Sequence, residues 1–249
     1  MAQITTVIFD MYETLVQNPL HLWRTSFEDI ILKQGLDTNI DRLWEEWFTV
    51  ELEFRNSRVK PDAPFRTYYE AWRDAFARAF TSLSLRGDSE AAARKFIQDI
   101  SRREPFPETV AAVSAIQRGW RTAVLSNADD DYLLPNLKLL GLKFDAVLSS
   151  EMARVYKPLP GLFRQMLCRL GVSPQESVYV GDRQLEDVQG AAGVGMSTVW
   201  VNRSRSPLNP ELPQPTYQIS SLLQLPGLLP SQADEKWGVQ GGEAPLPGV

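Results

Sequence analysis

The chain has 249 residues, 43% of them hydrophobic and 23% charged, with a formal net charge of −5, which is enough apolar content for one good core and a second small one. No basic excess marks it for a nucleic-acid backbone; its one cysteine forbids an internal disulfide or a cysteine-based zinc site, and its one histidine excludes a histidine-rich metal centre. No apolar run approaches the ~18 residues of a membrane span and no signal-peptide pattern is present, so the expectation is a cytoplasmic monomer or homodimer with no membrane and no nucleic-acid partner.

The first element is a buried strand at Val7–Phe9, rich in β-branched and aromatic residues, and it ends at Asp10. An acid at the carboxyl end of a strand suits a nucleophile, which must be oriented and only lightly hydrated, although Asp also caps turns and helices. Helical patterns follow at Leu22–Ile31, Asp41–Phe54, Arg66–Phe80 and Ser89–Ile100. Trp23, Trp44, Trp47 and Trp72 fall among them and read as helix-packing residues rather than the lining of a cleft. His21 sits in the first of these helices with no serine motif nearby, which argues against a Ser-His-Asp triad.

Pro105 and Pro107 mark a boundary, after which helices and strands alternate. The reading is helix Glu108–Arg118, strand Thr122–Leu125, helix Tyr132–Leu140, strand Ala146–Leu148, helix Gly161–Leu170, strand Ser177–Val180, helix Leu185–Ala192 and strand Ser197–Val201. Cys168, in the amphipathic pattern of the third helix, reads as a small core residue. The alternation implies an α/β fold, a Rossmann-like doubly wound parallel sheet with right-handed crossovers, interrupted after its first strand by an all-helical insert. The expected division is a core of residues 1–16 and 104–225, an insert of 17–103, and a flexible C-terminal tail of 226–249 rich in Gly and Pro.

Four polar clusters stand at successive strand ends: Asp10 with Thr14, Ser126 with Asn127, Lys157, and Asp182 with Asp187. In a doubly wound sheet these ends share one crevice. Two carboxylates about 4 Å apart repel by roughly 4 kcal/mol at an effective dielectric near 20, so three of them need cations. Lys157 supplies one charge, and a bound Mg²⁺ would supply two at a site of hard oxygen donors. Ser126 and Thr14 could donate hydrogen bonds to a small anionic substrate.

The segments FDMYETL (Phe9–Leu15), LSN (Leu125–Asn127), VYKP (Val155–Pro158) and VGDRQLED (Val180–Asp187) resemble, in this order, the motifs of the haloacid dehalogenase (HAD) superfamily of hydrolases. The resemblance spans about residues 5 to 202, and the helical insert is similar to the cap domain of that superfamily's first cap class. It implies that Asp10 is the nucleophile, Thr14 a helper in the first turn, and Lys157 a neutraliser of charge. Ser126 would bind the substrate's anionic oxygen, beside Tyr12 and Asn127. Asp10, Asp182 and Asp187 would hold Mg²⁺, with the Tyr12 carbonyl as a further ligand. Arg66, Tyr68 and Tyr69 are the candidate substrate contacts from the cap, against the plainer reading of a packed or solvated helix face.

The chain departs from that pattern at informative places. The superfamily's phosphatases carry a second Asp two residues after the nucleophile, where this chain has Tyr12; a positioned general acid–base contributes roughly 10²–10⁴-fold. Asp-Xaa-Tyr with a following Thr, Val155–Pro158 and the run Val201–Arg203 resemble the L-2-haloacid dehalogenase branch, which needs no metal. Asp182 and Gln184, where that branch has Ser and Asn, fit the metal-binding phosphatases instead. That branch also uses an early cap arginine to receive halide, where this chain has Glu45; Arg42, Arg55 and Arg58 are possible substitutes. Glu13 replaces the usual Gly. The leading expectation is a Mg²⁺-dependent hydrolase of a small-metabolite phosphate ester. The alternative is metal-free C–X hydrolysis, and a third reading is a catalytically weak binding or regulatory protein.

Overall fold

The structure is a computed structural model that describes residues 3–60 and 62–229. In chain order the elements are β1 (Thr6–Phe9), α1 (Leu20–Gln34), α2 (Ile40–Ser57), α3 (Tyr68–Ser82), α4 (Ser89–Ile100), α5 (Thr109–Gln117), β2 (Arg121–Ser126), α6 (Asp130–Leu140), β3 (Ala146–Ser149), α7 (Ser150–Ala153), α8 (Pro160–Leu170), β4 (Ser177–Gly181), α9 (Gly190–Ala192), β5 (Ser197–Val201) and β6 (Tyr217–Ile219). The described residues divide into two compact units, one within 3–17, 105–127 and 140–229, the other within 18–104 and 128–139. No helix among the described residues is long and apolar enough to cross a membrane.

The first unit carries a six-stranded sheet in the order β3-β2-β1-β4-β5-β6, with every neighbouring pair parallel. β1 is central, with Phe9 opposite Val124 on one side and Val180 on the other. All four of its residues are buried, which is why the strand reads as an unbroken apolar run rather than an alternating one. Strand order reverses direction between β1 and β4, so the carboxyl ends of those two strands flank the switch point where open α/β sheets bind ligands.

In the second unit, α1, α2, α3 and α4 meet over an aromatic core. Phe27 and Trp47 pack edge to face, with ring centroids 5.1 Å apart. Trp23, Trp47 and Trp72 are buried and Trp44 stacks on Phe48, so the four tryptophans are packing residues. The helix starts are set by side-chain caps: Asn39 accepts the Arg42 N–H, Thr67 and Glu70 form a capping box, and Asp88 accepts the Ala91 N–H.

Five details differ from the sequence reading. Helix α6, expected in the sheet domain, groups with the helical unit because buried Asn136 donates to Ile100 O at 2.7 Å and accepts from Arg103 N at 2.8 Å, while Tyr132 stacks on Trp72. The helix expected over Leu185–Ala192 is a π-helical turn (Gln184–Gln189) followed by the short α9; Asp187 N and Val188 N both bond Arg183 O, and the second of these is an i→i+5 bond. Cys168 is exposed, on the outer face of α8, rather than in the core. The sheet also has a sixth strand, Tyr217–Ile219, beyond the last one expected. Of the expected tail, Pro226 belongs to a 3₁₀ helix (Leu222–Gly227) and Leu229 is buried; residues 230–249 lie outside the described residues.

Candidate active site

The first unit's strand ends deliver the expected polar residues to one point. Asp10 follows β1, and its N–H bonds Val180 O of β4 at 2.9 Å, which fixes it at the switch point. Ser126, the last residue of β2, donates its hydroxyl to Asp10 Oδ1 at 2.9 Å. The Lys157 ammonium donates to the same oxygen at 2.7 Å and to Asp187 Oδ1 at 2.6 Å. Asp10 Oδ1 thus accepts two hydrogen bonds, one from Ser126 and one from Lys157.

Asp187 is held by its second oxygen, which accepts the Arg183 N–H at 2.8 Å. It stands against Gly181, where a Cβ would run into the Asp187 carboxyl group, so the glycine is required by close approach. Asp182 is half-buried, and among the described residues its carboxylate accepts no hydrogen bond; its main-chain carbonyl takes the Trp200 indole N–H at 2.8 Å. One carboxylate oxygen from each of Asp10, Asp182 and Asp187 lies within 4.8 Å of the others.

The charges shape this cluster. Burial alone would depress the Lys157 ammonium, but the charges of Asp10 and Asp187 outweigh it and hold its pKa well above the ordinary lysine value. Burial pushes Asp187 up to about 6, with the nearby Lys157 opposing and Asp10 adding to the rise. Burial, then the charges of Asp187 and Asp10, push the Asp182 pKa well above its ordinary value. One ammonium facing three carboxylates leaves the cluster short of positive charge. Three hard oxygen donors converging in that way, one of them without a hydrogen-bond partner among the described residues, fit a divalent cation of the Mg²⁺ type.

The turn after Asp10 is tight: Met11 O accepts both Leu15 N and Val16 N, and Glu13 adopts a left-handed φ of 61°. Tyr12 lies within this turn. The Thr14 hydroxyl is buried and has no hydrogen-bond partner among the described residues, while the Thr14 carbonyl accepts from Arg203 at 3.1 Å. Arg203 is itself fixed by an ion pair with Glu108 and by lying 3.7 Å over the Phe106 ring.

Asn127 and Arg66, two of the expected substrate contacts, have protein partners in this structure. Asn127, read as a substrate contact, spends its amide on the Lys157 backbone: Oδ1 accepts Lys157 N at 2.8 Å and Nδ2 donates to Lys157 O at 3.2 Å. Arg66 belongs to the helical unit, where it pairs with Asp74 at 2.5 Å and donates to Glu70 O. There too, Tyr68 is buried, and the Tyr68 and Tyr69 N–H groups bond Asp129. Of the arginines considered as halide receivers, Arg42 is exposed, Arg55 pairs with buried Glu51 at 2.7 Å, and Arg58 donates to the Tyr68 hydroxyl. One residue of the cluster escaped the sequence reading: Tyr179, buried on β4, whose hydroxyl accepts from Lys157 at 3.0 Å. Its position three residues before Asp182 looked like ordinary strand core.

A model of the haloacid dehalogenase-like hydrolases matches residues 4–195. The phosphoserine phosphatase of Thermus thermophilus is 30% identical over 82% of this chain and 91% of its own. Haloacetate dehalogenase H-2 of Moraxella sp. is also 30% identical, over 82% of this chain and 88% of its own. Among solved structures, the L-2-haloacid dehalogenase of Xanthobacter autotrophicus shares the fold with a TM-score of 0.72 at 23% identity, covering 91% of this chain and 98% of that one. The HAD-hydrolase YfnB of Bacillus subtilis, bound to magnesium, does so with a TM-score of 0.75 at 19% identity, covering 92% and 99%.

Proposed function

The chain belongs to the haloacid dehalogenase-like hydrolases, and on that premise we propose that it cleaves a phosphate ester of a small anionic metabolite with Mg²⁺ bound at Asp10, Asp182 and Asp187. The observation that carries the reading is Asp182, a carboxylate within 4.8 Å of two others and, among the described residues, with no hydrogen-bond donor of its own. In a metal-free mechanism that residue only adds repulsion; with a divalent cation it is a ligand. Kinship with a phosphoserine phosphatase over most of both chains points the same way.

The residues divide the work as follows. Asp10 Oδ2 attacks phosphorus while Lys157 holds Oδ1; the P–O bond to the alkoxide breaks, the alkoxide takes its proton from water, and a water molecule then cleaves the aspartyl phosphate to free phosphate and restore Asp10. Lys157 balances the negative charge that gathers as the ester is approached, and its own charge is secured by Asp10 and Asp187. Mg²⁺, when bound, supplies the remaining positive charge beside the transferring phosphoryl group. Ser126 releases its bond to Asp10 to donate to a phosphoryl oxygen.

A second reading, hydrolysis of a carbon–halogen bond, is favoured by Tyr12. A phenol of pKa about 10 is a poor base at neutral pH, which matters little when halide leaves unprotonated. Kinship with haloacetate dehalogenase H-2 supports it. Against it stands Asp182, for which that chemistry has no use.

The deciding experiment measures phosphate release from a broad phosphomonoester panel with Mg²⁺ and again with EDTA. Release that requires Mg²⁺ is the expected result. No release in either condition, with halide freed from 2-haloacids in EDTA, would establish the second reading instead.

A further inference from the structure

An ammonium group has three protons to donate and nothing to accept with. Lys157 Nζ has three acceptors around it: Asp187 Oδ1 at 2.6 Å, Asp10 Oδ1 at 2.7 Å and the Tyr179 hydroxyl at 3.0 Å. All three protons therefore have a partner, and the side chain is 2% exposed, with almost no access for water. The third partner is unlike the other two. The Tyr179 hydroxyl has a single proton, and it gives that proton to Leu125 O at 2.8 Å. A lone pair, not a proton, thus faces Lys157. Burial keeps the phenol neutral by holding its pKa well above the ordinary value.

The placement spans the middle of the sheet. Tyr179 lies on β4, Leu125 on β2, and β1 runs between them, with Ile8 paired to both Tyr179 and Ala123. The bond from Tyr179 to Leu125 fixes the hydroxyl relative to the strand that carries Ser126. The ring itself packs edge to face on Phe163, with centroids 5.3 Å apart. A tyrosine filling the core needs only one partner for its hydroxyl; here the hydroxyl has two, in a fixed donor–acceptor order.

We infer that Tyr179 is a positioning residue for the reaction: it is the third leg of a tripod that stops the Lys157 ammonium from rotating and keeps it on Asp10 Oδ1, so that Oδ2 remains the attacking oxygen. The consequence for catalysis rests on the reading of Asp10 as nucleophile. The consequence for Lys157 does not, and it can be measured in the resting protein.

The test is Tyr179→Phe in the full chain, which keeps the ring and removes the hydroxyl. The first readout is hydrogen exchange of the Lys157 ammonium by ¹H–¹⁵N NMR with lysine labelling in EDTA, the signal being assigned by its loss in Lys157→Met. The tripod predicts a slowly exchanging ammonium that exchanges at least tenfold faster in Tyr179→Phe. The second readout is steady-state kinetics on whichever substrate the unaltered enzyme turns over. There kcat falls about tenfold while KM stays within twofold, a split that loosened packing alone does not produce. If Tyr179→Phe fails to fold, 3-fluorotyrosine at position 179 preserves the ring and weakens the acceptor, and a smaller acceleration of exchange is expected. An unchanged exchange rate overturns the tripod, and an unchanged kcat overturns the catalytic role. Absence of turnover by the unaltered enzyme counts against the phosphate-ester reading alone, and the exchange rate still decides the tripod.

Discussion

The side-chain amide of Asn127 brackets the backbone of Lys157, accepting its N–H at 2.8 Å and donating to its carbonyl at 3.2 Å. The loop from β3 and α7 to α8 carries Lys157, and Asn127 fastens that loop to the end of β2 beside Ser126. Each such bond contributes about 1 kcal/mol net, so Asn127→Ala is expected to cost about 2 kcal/mol of stability by denaturant unfolding. Because Lys157 is placed by the same bonds, kcat should fall by at least tenfold, with KM much less affected. A residue that contacted substrate would show the larger change in KM.

The acidic cluster sets how stability varies with pH when no metal is bound. The pKa of Asp187 is raised to about 6, first by burial, against about 3.9 in an unfolded chain. The folded protein therefore holds this proton where the unfolded chain has lost it. Stability is fully present below about pH 4 and falls as pH rises toward 6, by about 3 kcal/mol from this group; Asp182, also raised, adds to the fall in the same direction. Thermal melts in EDTA between pH 4.5 and 7 should show Tm declining with pH. Asp182→Asn, which removes one of the crowded charges, should flatten that decline.

Mg²⁺ should reverse the same instability. A cation that binds only the folded state at one hundred times its Kd stabilises by about 2.7 kcal/mol. At pH 7, adding Mg²⁺ to EDTA-treated protein is expected to raise Tm by several degrees, and Asp182→Asn should abolish most of that rise while melting higher than the unaltered protein in EDTA. Equal Tm values with and without Mg²⁺ would remove the case for a metal site at Asp182.

Glu13 gives a test of backbone strain. Its φ of 61° is a conformation that costs a residue with a Cβ about 1–2 kcal/mol. Comparing Glu13→Gly with Glu13→Ala separates the backbone from whatever the glutamate side chain contributes. The glycine variant should be the more stable by about 1 kcal/mol, or about 2–4 °C in Tm for a chain of this size.

Much of this was legible in the sequence because the sheet is parallel and its strands are buried. β1, β2, β4 and β5 are short apolar runs ending in polar residues, so the strand ends announce themselves at Asp10, Ser126 and Asp182. β6 was missed because three residues approached through a proline-rich stretch carry too little pattern. The helix-breaking π turn was missed because nothing in QLEDVQ forbids an α-helix; the i→i+5 bond to Arg183 belongs to the turn that carries Asp187. Cys168 was misplaced by periodicity, which gives the faces of α8 but an uncertain edge between them. Tyr179 and Asn127 were recognisable as residues and not as partners, because the bond that Lys157 donates to Tyr179 on β4, and those that Asn127, just after β2, makes with the Lys157 backbone, join positions far apart in the chain.

Tyr12 supplies the last prediction, because it discriminates among substrates. Without a carboxyl group at this position the leaving alkoxide must depart with no positioned acid, and the hydrolytic step lacks a positioned base. An acid–base group is worth roughly 10²–10⁴-fold, and the loss falls most heavily on esters whose leaving group is strongly basic. The unaltered enzyme is therefore expected to hydrolyse p-nitrophenyl phosphate far faster than simple alkyl phosphates, with a steep dependence of kcat/KM on leaving-group pKa. Tyr12→Asp places a carboxyl group two residues from Asp10, and it should raise turnover of alkyl phosphates by at least tenfold while changing p-nitrophenyl phosphate little, so that the dependence flattens. A further acid beside Asp10, Asp182 and Asp187 adds repulsion, so the variant should also need more Mg²⁺ for stability than the unaltered protein. If Tyr12→Asp instead abolishes all activity in a folded protein, the phenol itself takes part in the reaction, and the carbon–halogen reading gains at the expense of the phosphate ester.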